Sequence, residues 1–214
     1  MSVRERTGRD RRRRELGQNF LRPEWADRVL SALDVRPGEL VLEVGAGRGT
    51  LTLRLAALGA RVIAVEVDPA WAGQLKAAGG GVRPGSIRVV AADFLNTDLP
   101  GAPFRVVASV PFSLTTRILH RLLDDPTSAL SRADLVVQWE VGRKRAAAPA
   151  GNLLSACWAP WWRFALVDRI PAAAFRPVPG VDAGLLRVTR RDPPLLPLVM
   201  AGPFASFIRE RWPY

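Results

Sequence analysis

The chain has 214 residues, of which 48% are hydrophobic, enough for one well-formed core and a small appendage. Its apolar runs fall short of the roughly 18–20 residues of a membrane span. The basic residues 1–14 lack the apolar segment that follows in a secretory signal. A single cysteine, Cys157, excludes an intramolecular disulfide framework, and a single histidine makes a zinc site unexpected. We therefore expect a cytoplasmic protein with no membrane span and no bound metal.

The net charge of +11 predicts an anionic partner. All but two of the 31 basic residues are arginines, which pair with phosphates through two hydrogen bonds and stack on bases. The densest run lies at residues 4–14 and ends in Arg11, Arg12, Arg13 and Arg14. A run of this kind is compatible with a solvated tail. Its density favours an arm that contacts a nucleic-acid backbone.

After this arm, helix and strand patterns follow one another along the chain. The patterns predict helices over residues 23–33, 50–58, 69–78, 115–123 and 140–148, and strands over residues 40–44, 61–66, 87–91, 104–109, 135–139, 163–170 and 185–189. Such alternation is typical of an α/β fold with a doubly wound, mostly parallel sheet, here of seven strands. Because no convincing helix separates the last two strands, we expect an antiparallel hairpin at one edge.

These patterns divide the chain into three segments. Residues 1–14 form the basic arm, and residues 15–190 form the α/β domain. Residues 191–214 are punctuated by prolines and are too short for an independent domain. We expect them to form an abbreviated tail that packs on the main body as one helix or as turns.

The first predicted strand runs into a glycine turn. Glu43 precedes Gly45, Gly47 and Gly49, so the pattern is acid-x-G-x-G-x-G and differs from the G-x-G-x-x-G of dinucleotide-binding proteins. A strand, a glycine turn and a helix together offer backbone N–H groups and a closely approachable main chain to a cofactor. This variant is typical of enzymes that use S-adenosylmethionine, which has no pyrophosphate to bind.

Two acidic residues end the next two predicted strands. Glu66 lies about 20 residues past the first glycine, where an acid that binds ribose is expected. Asp93 follows the third strand. Each could be a solvated strand end, but two such acids beyond a glycine turn favour a nucleoside pocket. Their neighbours Val67 and Phe94 are further candidates for its lining.

The fourth predicted strand ends in Ser109, Val110, Pro111 and Phe112. Acceptors at Ser109 and Val110 could hold the N–H groups of an exocyclic amine and direct its lone pair at a methyl donor. Pro111 stiffens the loop, and Phe112 offers a face to a flipped-out base, a contact worth roughly 1–3 kcal/mol. Catalysis would then depend on positioning, without a strong general base.

At this point the motifs resemble a known family in their order along the chain. They are residues 15–21 (ELGQNFL), the glycine turn, Glu66, Asp93, residues 109–112 (SVPF) and residues 175–182 (FRPVPGVD). This series is similar to the ribosomal RNA adenine dimethylases, which include small-subunit dimethyladenosine transferases and erythromycin-resistance methyltransferases of 23S RNA. The similarity covers about residues 9–190 and identifies the α/β domain as a methyltransferase catalytic domain.

The resemblance implies a role for each matching residue. The implied cofactor is S-adenosylmethionine, with Asn19 and Leu21 lining its pocket, Gly45 and Gly47 at its amino-acid end, Glu66 on the ribose, Asp93 on the adenine amino group, and Val67, Phe94 and Ser109 beside it. Ser109, Val110, Pro111 and Phe112 would hold the target base. Arg143 and Arg176 would face RNA, although a structural salt bridge is an open alternative for Arg176.

The sequence departs from the family pattern in two places, and each departure leads to an expectation. The family usually has asparagine where this chain has Ser109, so we expect a lower rate, a changed ratio of mono- to dimethylation, or a shifted target. Family members usually carry a helical C-terminal RNA-binding domain, and residues 191–214 would be its remnant, which leaves more of the RNA contact to the arm. The arginine-rich arm resembles actinomycete-type resistance enzymes, so 23S RNA is the preferred partner of an expected monomer.

Three other interpretations stay open at this point. The nearest is a small-subunit 16S dimethyladenosine transferase. A non-catalytic RNA-binding factor with a methyltransferase fold would fit Ser109 and the short tail. An NAD-dependent oxidoreductase uses a similar strand, turn and helix, but the position of the third glycine and the SVPF loop disfavour it.

Overall fold

The structure is a computed structural model that describes residues 19–81 and 86–212. Its strands are β1 (Phe20–Leu21), β2 (Leu40–Val44), β3 (Arg61–Glu66), β4 (Ile87–Ala91), β5 (Phe104–Ser109), β6 (Leu130–Gln138), β7 (Trp162–Ile170), β8 (Phe175–Arg176) and β9 (Ala183–Arg190). Its helices are α1 (Pro23–Ser31), α2 (Thr52–Ala57), α3 (Pro69–Gly79), α4 (Thr115–Leu123), α5 (Trp139–Arg145), α6 (Leu153–Trp158) and α7 (Ala201–Arg211). No helix within these residues is long and apolar enough to cross a bilayer.

Seven of the strands form one sheet in the order β4-β3-β2-β5-β6-β9-β7. The five strands from β4 to β6 are parallel, whereas β9 runs antiparallel to β6 and to the edge strand β7. The predicted seven-stranded, mostly parallel sheet with an antiparallel edge is therefore confirmed. Strand order reverses between β2 and β5, and in open α/β sheets the crevice at such a reversal is where ligands bind.

The central strands are apolar because both faces of the sheet are covered. In β2, Val41 packs into one hydrophobic cluster and Leu42 and Val44 into the other. In β5, Val107 faces the first cluster and Val106 the second. This alternation explains why the parallel strands appear in the sequence as continuous apolar runs.

Some elements differ from the sequence-based prediction. Strand β6 begins at Leu130, five residues before the predicted start, because Ser131 and Arg132 belong to it despite their polarity. Helix α6 was not predicted; Asn152 caps it by accepting a hydrogen bond from the Ser155 backbone N–H at 3.0 Å. The short pair of β1 with β8 was not predicted either.

The tail packs on the main body as one helix, α7. The Trp161 indole donates a hydrogen bond to the Leu196 carbonyl at 3.1 Å, and its ring meets Phe204 edge to face at 5.8 Å. A single helix was one of the two predicted forms of the tail. Several apolar side chains of this segment stay exposed, among them Leu195, Val199 and Phe207.

A buried ion cluster ties α1 to the sheet. The side chain of Asp134 in β6 is 0% exposed. Its carboxylate accepts hydrogen bonds from the Nε atoms of Arg105, Arg132 and Arg187 at 2.9, 2.8 and 2.7 Å. Arg105 and Arg187 also donate to the carbonyls of Leu33 and Ala32, which follow α1. One carboxylate therefore orients guanidinium groups that donate hydrogen bonds to the free carbonyls at the end of a helix.

Replacing Asp134 with asparagine leaves three guanidinium groups without their shared counter-charge. We expect Asp134→Asn to lower the free energy of unfolding by about 3–5 kcal/mol, as measured by urea titration. Asp27→Asn is the matched control, because Asp27 pairs with Arg54 at the surface, and its unfolding midpoint should stay near that of the wild type. Equal midpoints for Asp134→Asn and the wild type would contradict the structural role of the cluster.

Candidate active site

A cavity lies at the edge of the sheet where β2, β3 and β5 end. Its lining consists of Asn19, Phe20, Leu21, Glu43, Gly45, Ala46, Gly47, Arg48, Thr50, Leu51, Glu66, Val67, Ser109, Pro111 and Leu114. The carboxyl ends of parallel strands meet at one edge, so three distant sequence motifs come together here. One cavity therefore combines the β1 segment, the glycine turn, Glu66 and the SVPF loop.

The glycine turn has a shape that only glycine adopts without strain. Gly47 has φ +52°, and a Cβ placed on it would lie 2.9 Å from Cε1 of Phe20. Gly49 has φ +78°, and a Cβ there would lie 2.5 Å from Cδ1 of Leu75. By contrast, a Cβ on Gly45 would meet nothing within 4 Å. The turn is closed by packing on one side and leaves room for a ligand at Gly45.

The Glu66 carboxylate is buried and held by the main chain. Glu66 is 2% exposed. One carboxylate oxygen accepts a hydrogen bond from the Gly47 N–H at 2.7 Å, and the other accepts one from the Asp68 N–H at 2.8 Å. Each carboxylate oxygen has a second lone pair, so this fixed group can still accept hydrogen bonds from the two hydroxyls of a ribose.

A second acid, Glu43, lines the same cavity. Thr52 Oγ1 donates a hydrogen bond to its Oε2 at 2.6 Å. Burial raises the pKa of Glu43 to about 8, and the negative charge of Glu66 acts in the same direction, while the hydrogen bond from Thr52 opposes it. Glu43 is therefore neutral at pH 7, a property that the sequence motif did not predict.

The SVPF loop presents its residues in different ways. Ser109 and Pro111 line the cavity, whereas the Val110 side chain is buried in the core, so Val110 can act there through its backbone. Phe112 is half-buried and meets Phe175 edge to face at 6.3 Å. This contact fixes one edge of the Phe112 ring and keeps the loop close to the β8 segment.

Asp93 and Phe94 lie beside this arrangement. Within the described residues, neither belongs to the cavity lining. Asp93 is exposed, and its Oδ1 accepts a hydrogen bond from the Leu95 N–H at 3.0 Å; Phe94 is buried. The N–H of Ala92 donates a hydrogen bond to the Glu66 carbonyl at 3.1 Å. The turn at Asp93 therefore lies next to the end of β3.

The short strand β1 forms one wall of the cavity through Asn19, Phe20 and Leu21. Phe20 lies opposite Arg176 of β8, and Leu21 lies opposite Phe175. The described end of the ELGQNFL motif and the start of the FRPVPGVD motif are therefore neighbours in space. Sequence reasoning missed several lining residues that lie within or near the motifs it singled out, namely Phe20, Glu43, Ala46, Arg48, Thr50, Leu51 and Leu114.

The arginines predicted to contact RNA differ in their surroundings. Arg143 is exposed on α5 and pairs with Glu140 at 2.7 Å. Arg176 is exposed and forms no ion pair within residues 19–81 and 86–212, so the predicted alternative of a salt bridge is not found there. Arg11, Arg12, Arg13 and Arg14 lie outside the described residues. Over the same part of the chain, no cluster of three potential metal ligands occurs.

The raised pKa of Glu43 predicts how stability depends on pH. Between the ordinary range of a glutamate and about 8, the unfolded chain releases this proton and the folded chain keeps it, so unfolding becomes easier as pH rises. The Glu43→Gln variant lacks this dependence. The difference in unfolding midpoint between variant and wild type should thus grow in favour of the variant from about pH 5 to about pH 8 and then level off. A pH-independent difference would contradict a neutral Glu43.

Comparison with known proteins agrees with the site. The family Ribosomal RNA adenine dimethylase matches residues 9–211. An "rRNA adenine N-6-methyltransferase" of Corynebacterium diphtheriae is 38% identical over 92% of this chain and 76% of its own length. "Mycinamicin-resistance protein MyrB" of Micromonospora griseorubida is 39% identical over 92% of this chain, which spans 62% of that protein.

The solved structures include a similar fold. The crystal structure of "23S rRNA methyltransferase ErmE" matches 89% of this chain and 78% of its own, with a TM-score of 0.79 and 33% identity. The match to the family covers nearly the whole chain, including every motif that lines the cavity. The chain belongs to the ribosomal RNA adenine dimethylase family.

Proposed function

We propose that this protein transfers methyl groups from S-adenosylmethionine to the 6-amino group of an adenine in 23S ribosomal RNA, and that this modification confers macrolide-type resistance. The observation that carries the proposal is one cavity at the reversal of strand order that combines the glycine turn, the buried Glu66 carboxylate and the SVPF loop. The names of the relatives, an rRNA adenine N-6-methyltransferase and a mycinamicin-resistance protein, support it.

The residues of the cavity fit the donor. When bound, S-adenosylmethionine supplies a methyl group on a positively charged sulfur. Glu66 would accept hydrogen bonds from the ribose hydroxyls, and the open space at Gly45 would receive the amino-acid end. Asn19 and Leu21 would form the wall beside it. Asp93, next to the end of β3, would bind the adenine amino group.

The SVPF loop would hold the target base. The lone pair of an adenine 6-amino group is delocalised into the ring, so the amine is a weak nucleophile. The Ser109 hydroxyl and the Val110 carbonyl would accept hydrogen bonds from the N–H groups of this amine and direct its lone pair towards the methyl group. Phe112 would stack on the base while Phe175 supports the ring from its edge. These groups act by positioning, which can supply much of the rate.

The partner would be RNA held through its phosphates. Arg143 and Arg176 are exposed, and the arm with Arg11 to Arg14 would add further phosphate contacts. The arginine-rich arm and the resistance protein among the relatives favour 23S over 16S RNA. A monomeric and cytoplasmic enzyme stays our prediction.

Radiolabelled donor tests the function directly. The full chain is incubated with labelled S-adenosylmethionine and with 23S or 16S RNA. Label should be transferred to 23S RNA, and primer extension should locate the modified adenine. Label on 16S RNA alone would indicate a small-subunit enzyme. RNA binding without transfer would indicate a non-catalytic factor, and calorimetric binding of NAD in place of the donor would indicate an oxidoreductase.

Replacing the ribose-binding acid tests the cavity itself. Glu66→Gln removes the charge from the acceptor, so calorimetry should show about ten- to hundredfold weaker binding of S-adenosylhomocysteine. Glu24→Gln, an exposed change on α1, is the matched control and should leave binding unchanged. Wild-type affinity in Glu66→Gln would rule out this carboxylate as the ribose acceptor.

Ser109 should limit the second methylation. Ser109→Asn restores a longer acceptor at the same place, so we expect turnover to rise by up to about tenfold, the effect of one hydrogen bond in the transition state. The fraction of dimethyladenosine, measured by mass spectrometry of digested RNA, should rise with it. Ser113→Asn, exposed in the following turn, is the control. Unchanged turnover and product ratio in Ser109→Asn would contradict this role.

A further inference from the structure

Three side chains from three separate elements meet beside the cavity. Phe20 comes from β1, Arg48 from the glycine turn and Trp71 from α3. The Phe20 and Trp71 rings meet edge to face at 5.7 Å. The Arg48 guanidinium carbon lies 5.1 Å from the centroid of each ring. We name this group, Phe20, Arg48 and Trp71, the clasp.

The inner side of the clasp is part of the cavity wall. Phe20 and Arg48 both line the cavity. The Phe20 ring lies so close to the glycine turn that a Cβ on Gly47 would approach it to 2.9 Å. Gly47 is also the residue whose N–H holds Glu66. The Phe20 ring thus covers the part of the turn that fixes the ribose acceptor.

The backbone holds the Phe20 segment with few hydrogen bonds. Strand β1 pairs with β8 through two residues, and the Arg22 N–H adds one hydrogen bond to the Ala174 carbonyl at 2.8 Å. A two-residue strand at a domain surface opens more readily than the central sheet. The buried Leu21 side chain anchors one end of this segment, and the side-chain contacts of the clasp hold the Phe20 end.

The interactions of Arg48 are directed at the rings. Within residues 19–81 and 86–212, Arg48 forms no hydrogen bond and no ion pair, although its side chain is exposed. A guanidinium group within about 6 Å of an aromatic face is attracted by the ring quadrupole. Two such faces and an edge-to-face ring pair make the clasp a cooperative unit.

We propose that Arg48 and Trp71 are positioning residues that hold Phe20 over the glycine turn and thereby retain the methyl donor, and its demethylated product, in the cavity. This inference rests on the proposed function. Opening the clasp would release the wall at Phe20 while Glu66 stays fixed by the main chain. Loss of a clasp side chain should therefore speed release of the ligand more than it speeds entry.

The release rate of the product measures this role without any methyl transfer. Labelled S-adenosylhomocysteine is bound to the full chain and chased with excess unlabelled ligand. Trp71→Ala and Arg48→Gln should each release it about tenfold faster, as expected for the loss of one or two aromatic contacts. The double variant should show little further acceleration, because both changes open the same cluster. Trp71→Phe and Arg48→Lys should restore most of the retention.

Another arginine–tryptophan pair in the chain provides the control. Trp25 on α1 meets Arg28 at 4.9 Å, with similar chemistry, and neither residue lines the cavity. Trp25→Ala should release the product at the wild-type rate. Unfolding midpoints without ligand show whether Trp71→Ala folds; if it does not, Arg48→Gln decides, because Arg48 is exposed.

The outcomes separate the clasp from the proposed function. A wild-type chain that binds no S-adenosylhomocysteine would overturn the proposed function. A wild type that retains the product, together with clasp variants that release it at the same rate, would overturn the clasp alone. Unchanged release combined with weaker RNA binding in Arg48→Gln would assign Arg48 to the nucleic acid and likewise contradict the proposal.

Discussion

The hydrogen bonds to Glu66 join the glycine turn after β2 to the segment that follows β3. A buried carboxylate is costly unless hydrogen bonds satisfy it, and here the N–H groups of Gly47 and Asp68 do so, one on each oxygen. The bond from Gly47 ties the glycine turn after β2 to the end of β3. It holds Gly47 in the left-handed region, and the missing side chain there admits the Phe20 ring. The shape of the turn, the place of this acceptor group and the wall formed by Phe20 thus depend on one carboxylate.

The two acids of the cavity differ in their hydrogen-bond partners. Glu66 has N–H partners on both oxygens, whereas Glu43 has the Thr52 hydroxyl as its partner, and burial raises the pKa of Glu43 to about 8. The negative charge of Glu66 adds to this rise in the pKa of Glu43. A neutral Glu43 can donate a hydrogen bond, which an ionised acid cannot do. The cavity therefore offers one acceptor group and one acid, two different functions from residues of the same type.

The sequence predicted the parts of the fold and site that depend on local pattern. Strands β2, β3, β4 and β5 and helix α4 have the predicted bounds, because short apolar runs mark the parallel strands and an amphipathic period marks the helix. Long-range packing was not accessible in this way. The early start of β6 escaped prediction because Arg132 is satisfied by Asp134, and the clasp escaped because residues 20, 48 and 71 meet only in three dimensions.

The arginine content of the chain serves the fold as well as a nucleic-acid partner. Arg105 is 2% exposed and bound to Asp134. Arg190 donates to the Leu130 carbonyl at 2.7 Å and lies 4.7 Å from the Trp162 ring. Arg48 lies against two rings of the clasp. The net charge of +11 thus overstates the number of side chains free to meet phosphates, because a guanidinium engaged with a carbonyl or an aromatic face has already used part of its donor set or its surface. The salt dependence of RNA binding should follow the exposed arginines such as Arg176, and the composition alone gives only its upper bound.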